Sequence, residues 1–505
     1  MLTTKAKDHR MAQENKTSAY RLPKFGNEDT FEVYKSIQDQ LQGNINPLQN
    51  FASFVNVSMD YEAIQLILES LNVNLADFSI YSATTEIKKR IIHMVADLLH
   101  AQFDQGSDDF IGTATVGSSE AVMLGILAHK NSWFNWYDSL PKNEGPVDGR
   151  VPNMVMGAGY QVCWEKVYKY FDIAGLGSDA SVFPLDESDL QFKAYDPNEP
   201  VRDRCRIIPL EGNRRVVTAD KIREAIQSGM IDDNTIAISL ILGTTQTGEM
   251  DEIIEINEIM RAFNDRREAE AAKLGRKAYR IPIHVDAAYG GFIIPFTESE
   301  LEWDFRASEV KSINISNHKF GQVLPGLGMV IFRNPSIVPD QLFSKINYLG
   351  EQFNDFGLNF SRSSWPIVSQ YYNFIRYGYE GYHDWTNQIM QTTEQMTDVF
   401  IGTNRYSSYF QLLSETIPAS TASDQHQLRF PNIVLQVKPS APFNAIQLSQ
   451  ELEKEGWYVP AYPLPANLDH TYALRLVIKA HVNEEMVERF SRCLDQAINR
   501  LISLV

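Results

Sequence analysis

Short apolar runs alternate with helical stretches from about residue 110 to about residue 375. The clearest strand candidates are residues 235–242, 281–285, 312–315 and 329–332. Runs that are apolar along their whole length are typical of central strands in a mostly parallel sheet, which is buried on both faces. Strand–helix alternation over this length predicts an α/β, doubly wound domain.

The chain is long enough for more than one lobe. Its 505 residues exceed what one small core needs. We predict an irregular N-terminal arm in residues 1–60, a large domain in residues 61–378 and a small C-terminal α+β domain in residues 379–505. The small domain is suggested by a change of pattern after about residue 380 and by a final helix at about 483–503.

Composition excludes several classes of function. The chain has 46 Lys and Arg against 64 Asp and Glu, for a formal charge of −18, so we expect no nucleic-acid partner. No apolar run is long enough to predict a membrane span, and residues 1–23 lack an apolar signal core. Cys163, Cys205 and Cys493 form neither a CxxC motif nor a metal-binding spacing. This pattern predicts reduced thiols in the cytoplasm and no metal site, with Cys163 a core residue.

Two residues with distinctive chemistry follow apolar strands. Asp286 ends the run IPIHVD, and Lys319 lies in SNHKFG directly after the strand 312–315. Ligands of open α/β sheets bind beyond the carboxyl ends of strands. There, a desolvated lysine can form an imine, and a buried carboxylate needs a cationic partner. The pair predicts a pyridoxal phosphate (PLP) site, in which Lys319 forms a Schiff base and Asp286 holds the ring nitrogen protonated. The alternatives are a surface lysine and a carboxylate that caps a turn.

A glycine-bearing loop, GTATVGSSE, precedes a predicted helix at 120–130. The hydroxyl groups of Ser118 and Ser119 at a helix N-terminus suit a phosphate, although a plain N-cap is the alternative. Ser316 and His318 flank Lys319 and could donate to the same phosphate, or they could be structural.

Arg475 lies in the apolar run YALRLV. An arginine in such a strand needs an anion. A bidentate clamp on a substrate α-carboxylate is the functional interpretation, and an internal salt bridge is the alternative.

These segments resemble the group II PLP-dependent decarboxylases, most closely the bacterial and plant type of glutamate decarboxylase. The similarity runs from about residue 48 to about residue 488. It is carried by NFASF (50–54), HMVADLLHA (93–101), GTATVGSSEAVMLG (112–125), HVDAAYGGFIIPF (284–296), SINISNHKFG (312–321), NYLGEQ (347–352), LNFSRS (358–363) and ALRLV (473–477).

The resemblance implies fold type I, the aspartate aminotransferase-like fold. That fold has a mostly parallel seven-stranded sheet flanked by helices and a small C-terminal α+β domain. The resemblance also implies a homodimer with shared active sites, which assembles into a hexamer in some members. It supports phosphate contacts from Ser118, Ser119 and His318. It assigns five further contacts: Gln161 over the ring, Thr245 near the phenolic oxygen, Phe360 and Ser361 from the partner subunit, and Tyr348, on a mobile loop, in protonation.

The substrate pocket departs from the family pattern. Val57 replaces a threonine that helps to hold the distal carboxylate, Ser58 replaces a bulky aromatic residue, and Lys88 replaces an aspartate. Lys88 could pair with a distal carboxylate or point into solvent.

The leading prediction for the function is α-decarboxylation of an acidic L-amino acid, with glutamate to 4-aminobutyrate first. Aspartate to β-alanine, or another acidic substrate, comes next. An aminotransferase or a carbon–carbon lyase is a remote alternative, and a non-enzymatic PLP-binding protein is the last.

Overall fold

The N-terminal part of the chain contains a helix. The computed structural model describes residues 29–104, 109–141, 144–176, 194–210, 214–346, 353–402, 406–417, 427–464 and 472–503. The chain divides into two compact units between Pro47 and Leu48. In the first unit, helix α1 spans Thr30–Leu41, and the Asp29 carboxylate accepts hydrogen bonds from two backbone N–H groups of its first turn. The prediction of an irregular arm was wrong for this stretch, because it overlooked the capping aspartate.

The second unit is built on a seven-stranded sheet. Its strand order is β1-β7-β6-β5-β4-β2-β3. Strand β7 runs antiparallel to both of its neighbours, and the other pairs are parallel. The predicted α/β fold with a mostly parallel seven-stranded sheet is confirmed. The strands are β1 Gly112–Thr115, β2 Asn153–Gly157, β3 Ile207–Ile208, β4 Thr235–Ile241, β5 Ile283–Asp286, β6 Val310–Ile315 and β7 Gly328–Phe332.

Helices cover this sheet. Every residue of β4 and of β5 is buried, as expected for strands covered on both faces. The predicted strand 281–285 begins two residues late, at Ile283, because Pro282 has no N–H to donate to a neighbouring strand. The helices are α2 Tyr61–Ser70, α3 Ser82–Leu98, α4 Ser118–Asp138, α5 Cys163–Tyr170, α6 Ala219–Gln227, α7 Ile253–Lys273 and α8 Ile294–Thr297.

A four-stranded antiparallel sheet forms the C-terminal lobe, in the order β10-β11-β13-β12. Long helix α9 leads into it and is broken at Gly378, whose φ of 59° and ψ of −169° suit only glycine. This break lies where we predict the boundary between large and small domains. The remaining elements are β8 Ser344–Ile346, β9 Phe353–Asp355, α9 Trp365–Ile401, β10 Phe410–Leu412, β11 Asn432–Val437, α10 Ala445–Lys454, β12 Ala461–Pro463, β13 Tyr472–Val477 and α11 Glu484–Ser503.

The segment after Pro47 is attached to the C-terminal lobe. The N–H of Phe51 donates to the carbonyl of Tyr458, and the carbonyl of Phe51 accepts from the N–H of Val477. The ring of Phe51 is fully buried and stacks on Trp457 at 5.3 Å. These contacts fix the residues that follow Phe51 in the sequence. Across the described ranges, no helix combines the length and the apolar character that crossing a membrane requires.

Candidate active site

A cavity of about 290 Å³ lies beyond the carboxyl ends of strands β4, β5 and β6. Several residues that the sequence singled out line it together: Ser118, Ser119, Gln161, Thr245, Asp286, His318 and Lys319. The fold therefore brings into one place residues that are up to about 200 positions apart in the chain.

Asp286 is the last residue of β5, and its carboxylate is buried among hydrogen-bond donors. The indole Nε1–H of Trp164 donates to Oδ2 at 2.8 Å. The amide of Asn314 donates to Oδ1 at 2.8 Å, and the backbone N–H of Ala288 donates to the same atom at 3.1 Å. Donors on both oxygens hold the carboxylate in one orientation. Asp286 thus presents a fixed negative charge to the cavity.

Lys319 lines the same cavity. Burial lowers the pKa of its amine, and the nearby Asp286 opposes that shift. A lysine with a lowered pKa is more often neutral and nucleophilic. Its Nζ lies 5.4 Å from the centre of the Phe54 ring. The loop that carries it is tied down, because the backbone N–H of Asn56 donates to the carbonyl of His318.

The N-terminus of helix α4 forms another wall of the cavity. Ser118 is the first residue of this helix, so its backbone N–H groups lack carbonyl partners within the helix. Gly328 permits the close approach of β7, because a Cβ atom there would lie 2.7 Å from the N atom of Ser118. Burial and the charge of Lys319 lower the pKa of His318 to about 4. This wall suits an anion.

Two polar atoms beside Lys319 have no partner among the described residues. They are the Oγ of Ser316 and the Nδ1 of His318. Ser316 is buried but does not line the cavity, as far as its lining is described. Buried polar atoms are ordinarily hydrogen-bonded, so both atoms have capacity for a ligand or for water.

Gln161 and Cys163 lie side by side at the wall of the cavity. The side-chain Oε1 of Gln161 accepts a hydrogen bond from the backbone N–H of Cys163 at 2.7 Å. Cys163 is buried, as predicted for a core residue, although the sequence did not predict that it would line the cavity. Burial and the charge of Asp286 raise the pKa of its thiol to about 12, so the thiol is protonated and unreactive at neutral pH.

Arg475, on strand β13, is not part of the described lining of the cavity, but it contacts residues that line it. Its guanidinium donates to the carbonyl of Thr245 at 2.9 Å and to the carbonyl of Ala52 at 3.0 Å. It also lies over the rings of Phe54 and Tyr462, at 4.9 and 5.2 Å from their centres. Within the described ranges, Arg475 forms no ion pair and its buried Nε has no hydrogen-bond partner. These contacts leave N–H groups for an anion.

The structure does not bring the predicted distal-carboxylate residues to this cavity. In the described part of its lining, neither Val57, Ser58 nor Lys88 is present. Ser58 is exposed, and Val57 and Lys88 are half-buried. Burial and the charge of Arg362 lower the pKa of Lys88 to about 8. Its Nζ lies 5.6 Å from the ring centre of Phe78.

The residues predicted to reach a partner subunit lie on the surface. Phe360 is 40% exposed, and Ser361 is also exposed. Their segment is held near the start of helix α4, because Glu120 Oε1 accepts from the backbone N–H of Leu358 at 3.1 Å. Tyr348 lies outside the described residues.

Sequence reasoning missed several residues of the site. Phe54 and Tyr289 line the cavity, and their rings lie 4.8 Å apart. Trp164 and Asn314 hold Asp286. Phe54 and Tyr289 lie within the motifs NFASF and HVDAAYGG, and Asn314 lies within SINISNHKFG. A buried aromatic or amide side chain has the same sequence signature in a core as in a site, and only the motifs could have indicated these residues.

Comparisons with known proteins identify the family of the chain. The pyridoxal-dependent decarboxylase conserved domain matches residues 25–417. Glutamate decarboxylase of Petunia hybrida is 35% identical over 472 residues, which are 94% of this chain and 81% of that protein. Glutamate decarboxylase beta of Listeria monocytogenes is 34% identical over 471 residues, which are 93% of this chain and 87% of that protein.

Solved structures give the same result. The glutamate decarboxylase of Lactobacillus brevis matches with a TM-score of 0.78 and 31% identity over 96% of both chains. The tryptophan decarboxylase of Catharanthus roseus, in complex with L-tryptophan, matches with a TM-score of 0.68 over 98% of both chains. At 15% identity the latter shows the fold alone. The chain belongs to the pyridoxal-dependent decarboxylase family, as the resemblance implies, and is an amino acid decarboxylase with pyridoxal phosphate as its cofactor.

Proposed function

We propose that the protein removes the α-carboxyl group of an acidic L-amino acid, with L-glutamate as the first candidate and 4-aminobutyrate and CO2 as products. The observation that carries this proposal is the cavity lined by both Lys319 and Asp286. The guanidinium of Arg475 donates to the carbonyl of Thr245, which lines the same cavity. The glutamate decarboxylases of plants and bacteria, at about 35% identity, support glutamate as the substrate.

The residues of the cavity fit the cofactor. Lys319 would hold it covalently through Nζ, and Asp286 would pair with its ring nitrogen. The N-terminus of helix α4, with Ser118 and Ser119, and the unpartnered atoms of Ser316 and His318 offer donors for its phosphate. Gln161 would cover the ring, and Thr245 would lie near the phenolic oxygen.

Bound pyridoxal phosphate supplies an electron-withdrawing ring that can accept the electron pair released when CO2 leaves. The contribution of the chain is a fixed arrangement of charge and orientation. Asp286 keeps a negative charge at the buried end of the cavity, and its three hydrogen bonds hold that charge in place. Lys319, whose pKa is lowered by burial, has a neutral fraction whose lone pair can bind a carbonyl carbon or accept a proton at Nζ.

Arg475 would orient the substrate. Two of its nitrogen atoms are occupied by backbone carbonyls, which fix the plane of the guanidinium against the ring of Phe54. The remaining N–H groups would bind the α-carboxylate and set the direction of the bond that breaks. Tyr348 lies outside the described residues, and it remains our prediction for the residue that helps to protonate the product.

Aspartate or another acidic amino acid is the second candidate substrate. The observation that favours it is the set of departures at Val57, Ser58 and Lys88, which changes the donors available to a distal carboxylate. Lys88 is a half-buried cation near Arg362, and such a pair of cations suits a carboxylate. Family membership favours decarboxylation over the aminotransferase and lyase reactions.

The chain would act as a homodimer with shared active sites, with assembly into a hexamer as a further option. Large apolar side chains exposed on helix α2 and on the segment 358–361 support an interface there. Phe360 and Ser361 would contact the phosphate bound by the partner subunit. The free thiols of Cys163, Cys205 and Cys493 support a reducing compartment, so we assign the protein to the cytoplasm.

The test combines product analysis with labelling. The purified protein, supplied with pyridoxal phosphate, is incubated with glutamate, aspartate, tyrosine and histidine while CO2 release is measured. We expect release from glutamate first. Borohydride treatment followed by peptide mapping should label Lys319 and no label should remain in Lys319→Ala. A preference for tyrosine or histidine would refute the acidic substrate, and an unlabelled Lys319 would refute the site itself.

A further inference from the structure

A chain of buried, hydrogen-bonded side chains leads away from Asp286 through Asn314. We propose that Trp164, Asn314 and a relay through His284, Ser312 and His129 are positioning residues, which hold the Asp286 carboxylate ready for the cofactor's ring nitrogen. This inference rests on the proposed role of Asp286, and it assigns a function to residues that do not bind the substrate.

The relay is continuous at hydrogen-bond distance. Asn314 Oδ1 lies 2.8 Å from His284 Nε2, and His284 Nδ1 lies 2.7 Å from the Oγ of Ser312. The same Oγ lies 2.7 Å from His129 Nε2. All of these side chains are buried: His284, Ser312 and Asn314 are fully inaccessible to solvent, and His129 is 2% exposed.

The direction of each hydrogen bond follows from the carboxylate. A carboxylate only accepts, so Asn314 donates its amide N–H to Asp286 and its Oδ1 must accept from His284. Neutral His284 then carries its proton on Nε2, and its Nδ1 accepts from the hydroxyl of Ser312. The Ser312 oxygen in turn accepts from His129. Every member therefore donates toward Asp286, and aligned hydrogen bonds polarise one another in a buried site.

The relay also keeps positive charge away from Asp286. Burial lowers the pKa of His284 to about 4 and that of His129 to about 3, so both imidazoles are neutral near pH 7. A charged histidine here would compete with the cofactor's ring nitrogen for the carboxylate. Neutral donors stabilise the anion and leave its charge for the cavity.

Trp164 supports the second oxygen from a different element. Its indole is fully buried at the start of helix α5, and its ring meets that of His284 edge-on at 5.5 Å. The two oxygens of Asp286 are therefore anchored from two directions, which prevents rotation of the carboxylate about its χ2 angle. Gln161, three residues before Trp164, lines the cavity. The same short segment therefore contains a residue that lines the cavity and a residue that holds Asp286.

The test uses two ligands of the full-length apoprotein: pyridoxal 5'-phosphate and 1-deazapyridoxal 5'-phosphate, which has C–H in place of the ring nitrogen N1. Dissociation constants are measured by quenching of protein fluorescence for Trp164→Phe, Asn314→Leu and Ser312→Ala. We expect Trp164→Phe and Asn314→Leu to weaken binding of pyridoxal phosphate about tenfold and Ser312→Ala about threefold, with little change for the deaza compound.

The matched control is Trp133→Phe. Trp133 is also fully buried, and its indole donates to the backbone carbonyl of Asp233 at 2.8 Å, away from the cavity. This variant should change neither dissociation constant. Trp164→Phe preserves a large aromatic ring, so it tests the inference even where Asn314→Leu does not fold.

Asp286→Asn separates this inference from the proposed function. It should weaken binding of pyridoxal phosphate and not of the deaza compound. The positioning role alone would be overturned if Trp164→Phe weakened binding of both ligands equally while Asp286→Asn weakened binding of pyridoxal phosphate only. Equal affinities of Asp286→Asn and the native protein for pyridoxal phosphate would overturn the role of Asp286 and the inference together.

Discussion

Asp286 differs from Ser316, His318 and Arg475 in how many of its polar atoms are already hydrogen-bonded. Both carboxylate oxygens of Asp286 have donors at 3.1 Å or less. In Ser316, His318 and Arg475, one buried polar atom of each residue has no partner in the described part of the chain.

The difference distinguishes hydrogen bonds that form when the chain folds from hydrogen bonds that form when a ligand binds. A buried carboxylate without donors would be costly, so the fold supplies donors to Asp286 before any ligand binds. A phosphate or a substrate carboxylate brings its own acceptors, and donors that bind it must be unpaired beforehand. Substitutions that remove donors to Asp286 should therefore also affect the apoprotein, and substitutions of Ser316, His318 or Arg475 should affect ligand binding alone.

The largest effect is expected for Asp286→Asn. The amide cannot balance a protonated ring nitrogen, so kcat should fall by about 10²–10³-fold. Steady-state CO2 release measures kcat, and absorbance of the bound cofactor checks that the site is loaded. A loaded variant with native kcat would show that the negative charge is not needed.

Arg475→Gln should raise KM for the preferred acidic substrate by about 10–100-fold, because hydrogen bonds to a charged carboxylate are lost. Arg333→Gln is the control. Its guanidinium also donates to backbone carbonyls, those of Phe305 and Ala307, but none of these three residues belongs to the described lining of the cavity. The control should keep KM. A similar rise in both variants would indicate loss of structure and not loss of a substrate contact.

Substitutions of two serines, Ser312 and Ser316, test this difference directly. Ser312→Ala removes the link between two buried histidines and should lower the free energy of unfolding of the apoprotein by about 1–3 kcal/mol. Ser316→Ala removes a hydroxyl that has no partner in the described structure and should leave that free energy unchanged, while affinity for pyridoxal phosphate falls about fivefold. Denaturant unfolding and cofactor titration measure the two quantities. The opposite pattern would contradict the comparison.

The smallest effect is expected for Lys88→Met. The pKa of Lys88 is about 8, lowered by burial and Arg362 and opposed by Asp355 and Glu120. Lys88 is charged below that pH, so its attraction for a distal carboxylate should be lost as the pH rises through 8. The native KM for acidic substrates should rise about fivefold across this range, and Lys88→Met should remove the rise.

Lys479→Met is the control for that pH profile. Burial lowers the pKa of Lys479 to about 8 as well, but its amine donates to the carbonyl of Asn50. The control should retain the native pH dependence of KM. If KM of the native protein did not change with pH in this range, Lys88 would have no role in substrate binding.

The sequence predicted that Asp286 and Lys319 lie together because the ends of buried strands can be recognised in a sequence. Apolar runs that stop at Asp286 and shortly before Lys319 place both residues at one edge of a parallel sheet. The start of the helix at Ser118 can also be predicted from the sequence, because a glycine followed by serines favours a helix N-terminus. The residues that hold the carboxylate of Asp286 could not be predicted from the sequence. Trp164 and His284 have the burial of core residues, and their hydrogen bonds join strands and helices that are distant in the chain.

The alternation of strands and helices, the family and the candidate pair Lys319 and Asp286 could be predicted from the sequence, because they depend on local pattern and on motifs. The packing of the folded chain determined which polar atoms meet. It placed Arg475 against Phe54 through the lobe contacts of Phe51, and it left Val57 and Lys88 out of the described cavity lining. The physical reason is that hydrogen-bond partners are set by the packing of whole elements, which no local stretch of sequence specifies.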